Sequence, residues 1–146
     1  MRSEGGERLA EFKRGITAGA KAGVIFGIII AILGIAYTYA TLEPGEYIIV
    51  ERAIGLVIGY AIGGAIIGVI FGAIYAAAYG HLPGAKSIPK GISLGIVWWI
   101  VVGIGLAYLQ EAIDPYHIVT SLISALIWGS LIGFFWERYK PRPIKK

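Results

Sequence analysis

The segment GHLPGAKS, from Gly80 to Ser87, nearly has the spacing of a phosphate-binding loop, G-x-x-x-x-G-K-[ST]. Gly80, Lys86 and Ser87 match, but Ala85 occupies the place of the second glycine. Its Cβ stands where the backbone of such a loop must approach phosphate, and the segment follows an apolar stretch rather than a strand. The Ile-Pro-Lys-Gly sequence that comes next does not suggest a helix that begins at Ser87. We therefore expect a turn with basic anchors and no nucleotide site.

The other ionisable residues form no recognisable catalytic or metal-binding arrangement. His81 and His117 lie on opposite sides of the membrane in the topology derived below, so they cannot share a metal ion. Glu43 and Glu46 flank a Pro-Gly turn, where we do not expect a catalytic pair. The chain has no cysteine, so thiolate chemistry and cysteine-ligated metals are excluded. We predict no catalytic residue, no bound metal, no cofactor and no nucleic-acid partner.

Ionisable residues are absent from stretches of the chain that have the length of membrane spans. Hydrophobic residues make up 57% of the sequence and charged residues 15%, whereas a soluble domain carries about a quarter charged residues. About 20 helical residues cross a hydrocarbon core of about 30 Å, and the apolar runs lack the alternation of barrel strands. We predict an all-α integral membrane protein, a single membrane domain with four transmembrane helices at about residues 16–39, 54–79, 92–109 and 118–136.

Lysine and arginine are divided unequally between the two sides of this predicted domain. Twelve of the thirteen lie on one side, and the other side carries Arg52 and the acidic loops. Short loops rich in Lys and Arg stay in the cytoplasm. We therefore place residues 1–14 and the polybasic tail 137–146 in the cytoplasm of a multi-pass plasma-membrane protein. The predicted cytoplasmic headgroup or partner contacts are Arg14, Lys21, Lys86, Lys90, Arg138, Lys140, Arg142, Lys145 and Lys146.

Two details refine this topology. Leu9, Phe12 and Ile16 share one helical face, which indicates a short interfacial helix before the first span. Lys21 is the one ionisable residue inside a predicted span, and it lies close enough to Arg14 for its side chain to reach the cytoplasmic surface. A proton-coupled or sodium-coupled transporter built on a buried carboxylate is therefore not expected. A weak outer cation site from Glu111, Asp114 and His117 is less favoured than a solvated loop.

Glycines recur every four residues along the predicted spans. This G-x-x-x-G spacing keeps the glycines on one helical face and allows a second backbone to approach, because lipid supplies no hydrophobic drive between helices. We expect the second span to contact the first through one glycine face. Its other glycine face is expected to contact either the fourth span or another copy of the chain. The predicted helix-packing residues are Gly15, Gly19, Gly23, Gly27, Gly55, Gly59, Gly63, Gly64, Gly68, Gly72, Gly129 and Gly133.

The spans also contain a faint internal duplication. RGITAG, from Arg14, resembles KGISLG, from Lys90, and a glycine pattern of the second span recurs in the fourth. Such a duplication would produce two tandem parallel helical hairpins, related by a pseudo-twofold axis along the membrane normal. Low-complexity helices produce similar matches, so the sequence leaves both interpretations open.

Three functional interpretations follow from these features. Tyr60, Trp98 and Trp99 fall near mid-span, where they either pack in the core or border a cavity. We favour a non-enzymatic subunit or scaffold that packs through GxxxG faces with itself or with other membrane proteins. An oligomeric channel or facilitator for a small solute is the alternative, and no residues support an enzyme. The depletion of Asn, Gln, Cys and Met suggests a thermophilic source.

Overall fold

The protein consists of four helices in the computed structural model, which describes residues 4–43, 49–105, 108 and 115–140. These are α1 (Glu4–Thr41), α2 (Val50–Ala78), α3 (Ser87–Trp98) and α4 (Pro115–Arg138). A π-helical stretch, Trp99–Ile104, directly follows α3. Three helices are long and apolar enough to cross a membrane, over Gly5–Thr41, Val50–Ala78 and Ile118–Arg138, and Ser87–Val102 is a shorter apolar helix. This confirms the all-helical class with apolar candidate spans.

The start of one helix differs from the expectation. α1 is one continuous helix of 38 residues, about 57 Å long, and the residues of the expected interfacial helix form its first turns. α3 begins at Ser87, immediately after Lys86, so the expectation that no helix begins there was wrong. Pro89 lies in the first turn of α3, where the backbone N–H that proline lacks would have had no intrahelical partner. The preceding element is α2 and not a strand, so the context of a phosphate loop is still incomplete.

α1 and α2 run antiparallel with their backbones in contact along one stripe of each helix. A Cβ atom added to Gly19 would overlap the carbonyl oxygen of Gly68 and lie 2.7 Å from the Cα of Gly72. At Gly23 an added Cβ would lie 2.6 Å from the carbonyl carbon of Gly64, and this geometry repeats along the helices. Each helix therefore occupies the volume that a side chain of the other would need. The opposed pairs are Gly15 with Gly72, Gly19 with Gly68, Gly23 with Gly64, and Gly27 with Tyr60.

α3 and α4 form a second antiparallel pair with the same kind of contact. A Cβ on Gly129 would lie 2.8 Å from the carbonyl carbon of Gly91, and one on Gly133 would lie 2.7 Å from the Cα of Ile88. Gly95 faces Ala125 at the next level. Gly129 and Gly133 therefore contact α3. Contact of α4 with the second glycine face of α2, one of the two alternatives expected for that face, is not made through these two glycines. The helix pairs α1–α2 and α3–α4 are called the first and second hairpin below.

The second glycine stripe of α2 has no partner within the described part of the chain. A Cβ at Gly55, Gly59 or Gly63 would meet no atom within 4 Å. These glycines lie on the side of α2 that faces away from α1, together with exposed isoleucines. This surface, formed by Gly55, Gly59, Gly63, Ile62, Ile66 and Ile70, is called the outer face of α2 below.

The buried core lies toward one end of the bundle, where the two hairpins meet. Its members come from all four helices and surround the rings of Tyr75 and Trp136, both nearly inaccessible. Many isoleucine, leucine and valine side chains elsewhere are exposed, as lipid-facing or partner-facing residues are. The core residues are Ala18, Ala22, Phe71, Tyr75, Leu94, Ile132 and Trp136.

The first prediction concerns the close contact within the first hairpin. Gly19→Ala should lower the unfolding free energy in detergent by at least about 1–3 kcal/mol, because the added methyl group overlaps the α2 backbone and forces the helices apart. Gly34→Ala is the matched control on the same helix, since an added Cβ there meets no atom within 4 Å. The control should be neutral or slightly stabilising, since alanine favours helix by about 1 kcal/mol. Equal stability of the two variants in thermal unfolding would contradict the backbone contact.

Candidate functional site

An aromatic and cationic cluster joins the two hairpins at the end of the bundle that holds the core. It forms where the start of α1, the end of α2, the start of α3 and the end of α4 come together. We call it the end cluster. Its members are Arg14, Tyr75, Tyr79, Ser87, Lys90, Trp136 and Glu137.

Arg14 connects α1 to the last turn of α4. Its Nε donates a hydrogen bond of 2.8 Å to the backbone oxygen of Trp136, and its Nη2 donates to the same oxygen. The guanidinium carbon also lies 4.0 Å from the centre of the Trp136 ring. Carbonyls in the last turn of a helix lack intrahelical donors and carry the negative end of the helix dipole. One cation therefore satisfies a free carbonyl, offsets the dipole and makes a cation–π contact.

Lys90 makes an equivalent connection from α3 to the end of α2. Its Nζ donates a hydrogen bond of 2.6 Å to the backbone oxygen of Tyr79 and lies 4.2 Å from the centre of the Tyr79 ring. Tyr79 is the C-cap residue of α2, so this carbonyl also belongs to a helix end. Each hairpin thus provides one cation to the other hairpin. That cation binds a backbone carbonyl and an aromatic ring at the C-terminal end of a helix in the other hairpin.

Ser87 is the residue of the GHLPGAKS segment that enters the end cluster. Its hydroxyl donates to a carboxylate oxygen of Glu137 and shares a 2.9 Å hydrogen bond with the Tyr79 hydroxyl. The Tyr75 hydroxyl donates to the backbone oxygen of Ser87 at 2.6 Å. Ser87 is 1% exposed, so a substrate cannot approach its hydroxyl without movement of these neighbours. The arrangement connects the start of α3 to the ends of α2 and α4.

Aromatic rings fill the space between these polar contacts. Tyr75 meets Trp136 edge-on at a centroid distance of 5.2 Å, and Tyr79 lies 4.9 Å from the same ring. Deeper in the bundle, Phe71 contacts Trp98 and Trp128, both at 4.3 Å. The distances from Trp136 lie in the range of favourable aromatic pairs, and Phe71 contacts its two neighbours slightly more closely. The interior between the hairpins is packed with rings.

The remaining predicted cytoplasmic contacts within the described residues are exposed cations, and two of them have a partner within the chain. Lys21 donates to the Tyr139 hydroxyl, just beyond α4, and Lys140 forms a 2.6 Å ion pair with Glu137. Lys86 and Arg138 are exposed. Four predicted contact cations therefore have a partner within the chain: Arg14, Lys21, Lys90 and Lys140. Arg142, Lys145 and Lys146 lie outside the described residues.

The three mid-span aromatics do not form one site. Trp99 begins the π-helical stretch, and its indole N–H donates a 3.0 Å hydrogen bond to the hydroxyl of Ser121 in α4. Trp98 packs on Phe71, and Tyr60 is 48% exposed with no ring contact to either tryptophan. The structure therefore places Trp98 and Trp99 in helix packing and leaves Tyr60 at the surface of α2.

Most residues of the expected acidic loops lie outside the described part of the chain. Glu46, Glu111 and Asp114 lie outside the described residues, and the His117 side chain is not described. Among the described residues no group of three histidine, aspartate or glutamate side chains is placed to hold a metal ion.

Sequence reasoning missed the aromatic half of the end cluster. Tyr79, Trp136 and Glu137 were given no role in a site, and Ser87 was considered only as a match to the phosphate-loop spacing. One signal was available, because Arg14 and Lys90 occupy the same position in RGITAG and KGISLG. Two cations at the same place in similar segments indicate equivalent partners.

The fold and the end cluster define a helical bundle with apolar candidate membrane spans and backbone-to-backbone glycine contacts. Residues 9–146 match the model of DUF6789, a family of unknown function, and the chain belongs to that family. The comparisons with curated proteins and with solved structures find no match.

The second prediction concerns Arg14. Arg14→Gln should lower the unfolding free energy in detergent by about 1.5–3 kcal/mol, because two charge-assisted hydrogen bonds to Trp136 are lost. Lys13→Gln is the control, since this exposed neighbour removes the same charge without a partner in the end cluster. Equal stability of the two variants would show that the net charge of the segment matters and the contact with Trp136 does not.

Proposed function

We propose that the protein is a non-enzymatic subunit or scaffold of the plasma membrane, which assembles with itself or with other membrane proteins through the outer face of α2. The glycine-packed first hairpin presents this face and the end cluster holds the two hairpins together. In this proposal both termini lie in the cytoplasm.

The observation that carries this proposal is the exposure of α2. Of the most apolar 18-residue window of α2, 11% is buried inside the chain, compared with 33% for α1. Ile62 and Ile66 on the outer face are 57% and 59% exposed, beside the glycines that have no partner. The same glycine spacing serves for helix contact on the opposite side of α2. A second transmembrane helix could therefore approach here as closely as α1 does on the other side.

The distribution of charge supports the orientation. The end cluster lies at the end of the bundle where Arg14, Lys21 and Lys90 gather, and this end is cytoplasmic by the positive-inside rule. Arg52, at the start of α2, lies toward the opposite end.

The reciprocal contacts in the end cluster support the internal duplication. Arg14 and Lys90 are equivalent in the repeated segments, and each binds a backbone carbonyl and an aromatic ring at the end of the second helix of the other hairpin. Two tandem hairpins related by a pseudo-twofold axis would produce this reciprocity. The repeat alignment predicts which glycines should contact each other in the second hairpin. The observed glycine contacts of that hairpin are shifted by one helical turn from this prediction, so the symmetry would be approximate.

A channel or facilitator remains the second candidate, and one observation favours it. The Tyr60 hydroxyl lies within the apolar length of α2, where lipid offers no hydrogen-bond partner, and the ring is half exposed. In an oligomer this hydroxyl would face a neighbouring chain or a solute path. The ring-filled interior argues against a path through one chain, so several copies would have to enclose the pore.

The third prediction tests the outer face by photo-cross-linking in native membranes. Ile62→Cys labelled with benzophenone-maleimide should give a protein adduct larger than the single chain, because a neighbouring helix contacts this face. Ile25→Cys is the matched control: it is exposed on α1 at the depth of Ile62, since Gly23 opposes Gly64 and Gly27 opposes Tyr60. The natural chain has no cysteine, so each label is unique. Adducts of equal yield at both positions, or none at Ile62→Cys, would contradict the proposal.

The fourth prediction tests the orientation in intact cells. A membrane-impermeant maleimide should label Glu43→Cys from outside and leave Lys86→Cys unlabelled until the cells are opened, because the two residues lie at opposite ends of α2. The reverse pattern would place the termini outside.

A further inference from the structure

A groove between α1 and the end of α2 lies beside the end cluster. It encloses about 430 Å³ and opens to the surface, a volume within the range of about 300–1,000 Å³ found for small-molecule sites. Gly15 and Ala76 hold α1 and α2 in contact just below it. Above this contact the groove stays open because the side chains of Ala76 and Ala77 are small. The groove is lined by Arg8, Glu11, Phe12, Ala76, Ala77 and His81.

The side chains of Arg8, Glu11 and His81 make no hydrogen bond or ion pair within the described part of the chain, although the Glu11 carboxylate acts electrostatically on Arg14. Arg14, Lys21, Lys90 and Lys140 at the same end are all engaged by other residues. Arg8 and Glu11 are opposite charges three residues apart on one helix, yet they form no ion pair with each other. One guanidinium, one carboxylate and one imidazole therefore border an open groove with an apolar wall, Phe12.

The position of the groove matches the headgroup layer of the membrane. The uncharged run of α2 ends at Gly80, and His81 is the first ionisable residue after it. Headgroup layers occupy the outer part of a bilayer about 40–45 Å thick, directly outside the hydrocarbon. A ligand in this groove would meet charged groups at its polar end and the apolar surface of α1 and α2 below.

We propose that the groove binds the headgroup of an aminophospholipid, which carries a phosphate and a primary ammonium. Arg8 and His81 donate hydrogen bonds to the phosphate oxygens, and the ammonium donates to the Glu11 carboxylate. The opposite charges of Arg8 and Glu11 match a zwitterion better than a lipid with net negative charge. A quaternary ammonium has no N–H group to donate, so a choline headgroup loses the contact with Glu11. This lipid site is independent of assembly through the outer face of α2.

Native mass spectrometry of the delipidated full chain tests this site with lipids of identical acyl chains. Phosphatidylethanolamine should be retained about tenfold better than phosphatidylcholine, the effect of one charge-assisted hydrogen bond. Arg8→Gln should weaken the binding of both lipids, whereas Glu11→Gln should remove the preference and leave phosphatidylcholine binding unchanged. Lys13→Gln is the control, an exposed cation of α1 outside the groove, and should behave as the natural chain.

Three results would overturn the proposal. The first is equal retention of the two lipids by the natural chain. The second is an equal loss of binding in Lys13→Gln and Arg8→Gln, which would indicate diffuse attraction to basic residues. The third is displacement of the lipid by soluble phosphoethanolamine at equal concentration, which would identify a free solute as the ligand. A preference for phosphatidylethanolamine that disappears in Glu11→Gln alone would support the lipid site even if Arg8→Gln proved unstable.

Discussion

The direct approach of one helix backbone to another is the constraint on which the rest of the structure depends. At four levels of the first hairpin, carbonyl and Cα atoms of one helix occupy the volume that a Cβ of the other would need. In lipid, helices gain little from burying apolar side chains, so close van der Waals contact and weak Cα–H···O contacts must hold them together. Any side chain at Gly19, Gly23 or Gly68 would separate the two backbones.

This constraint also determines how the hairpins are joined. Glycine faces form tight pairs within each hairpin but supply few side chains for a contact between hairpins. The join instead uses large rings, from Phe71 to Trp136, and cations that bind free helix-end carbonyls. Burial of Ser87 and of the Tyr75 hydroxyl is possible because each has a hydrogen-bond partner in this cluster. The outer face of α2 is then left without a partner among the described residues.

The sequence allowed a good prediction of the helices and a partial one of the site. Long runs without charged residues identified the apolar helices. Such runs can be recognised because the thickness of a bilayer sets the length of apolar helix that is needed to cross it. Four-residue glycine spacing placed Gly15 and Gly72 on helix faces, but it could not specify which faces meet. Contact of Gly129 with α2 was one of two alternatives left open, and Gly129 contacts α3. The start of α3 was misjudged because Pro89 reads as a helix breaker in sequence and is tolerated in a first turn. The pairing of Arg14 with Trp136 depends on tertiary contact across 122 residues, which no local pattern encodes.

The most direct test of assembly through α2 is native mass spectrometry of the protein extracted gently from its own membranes. A complex of several chains, or of this chain with another membrane protein, is the expected result, and Ile62→Trp on the outer face should disrupt it while Ile25→Trp should not. A single chain that carries only lipid, in the gentlest conditions that keep the fold intact, would contradict a role as subunit or scaffold.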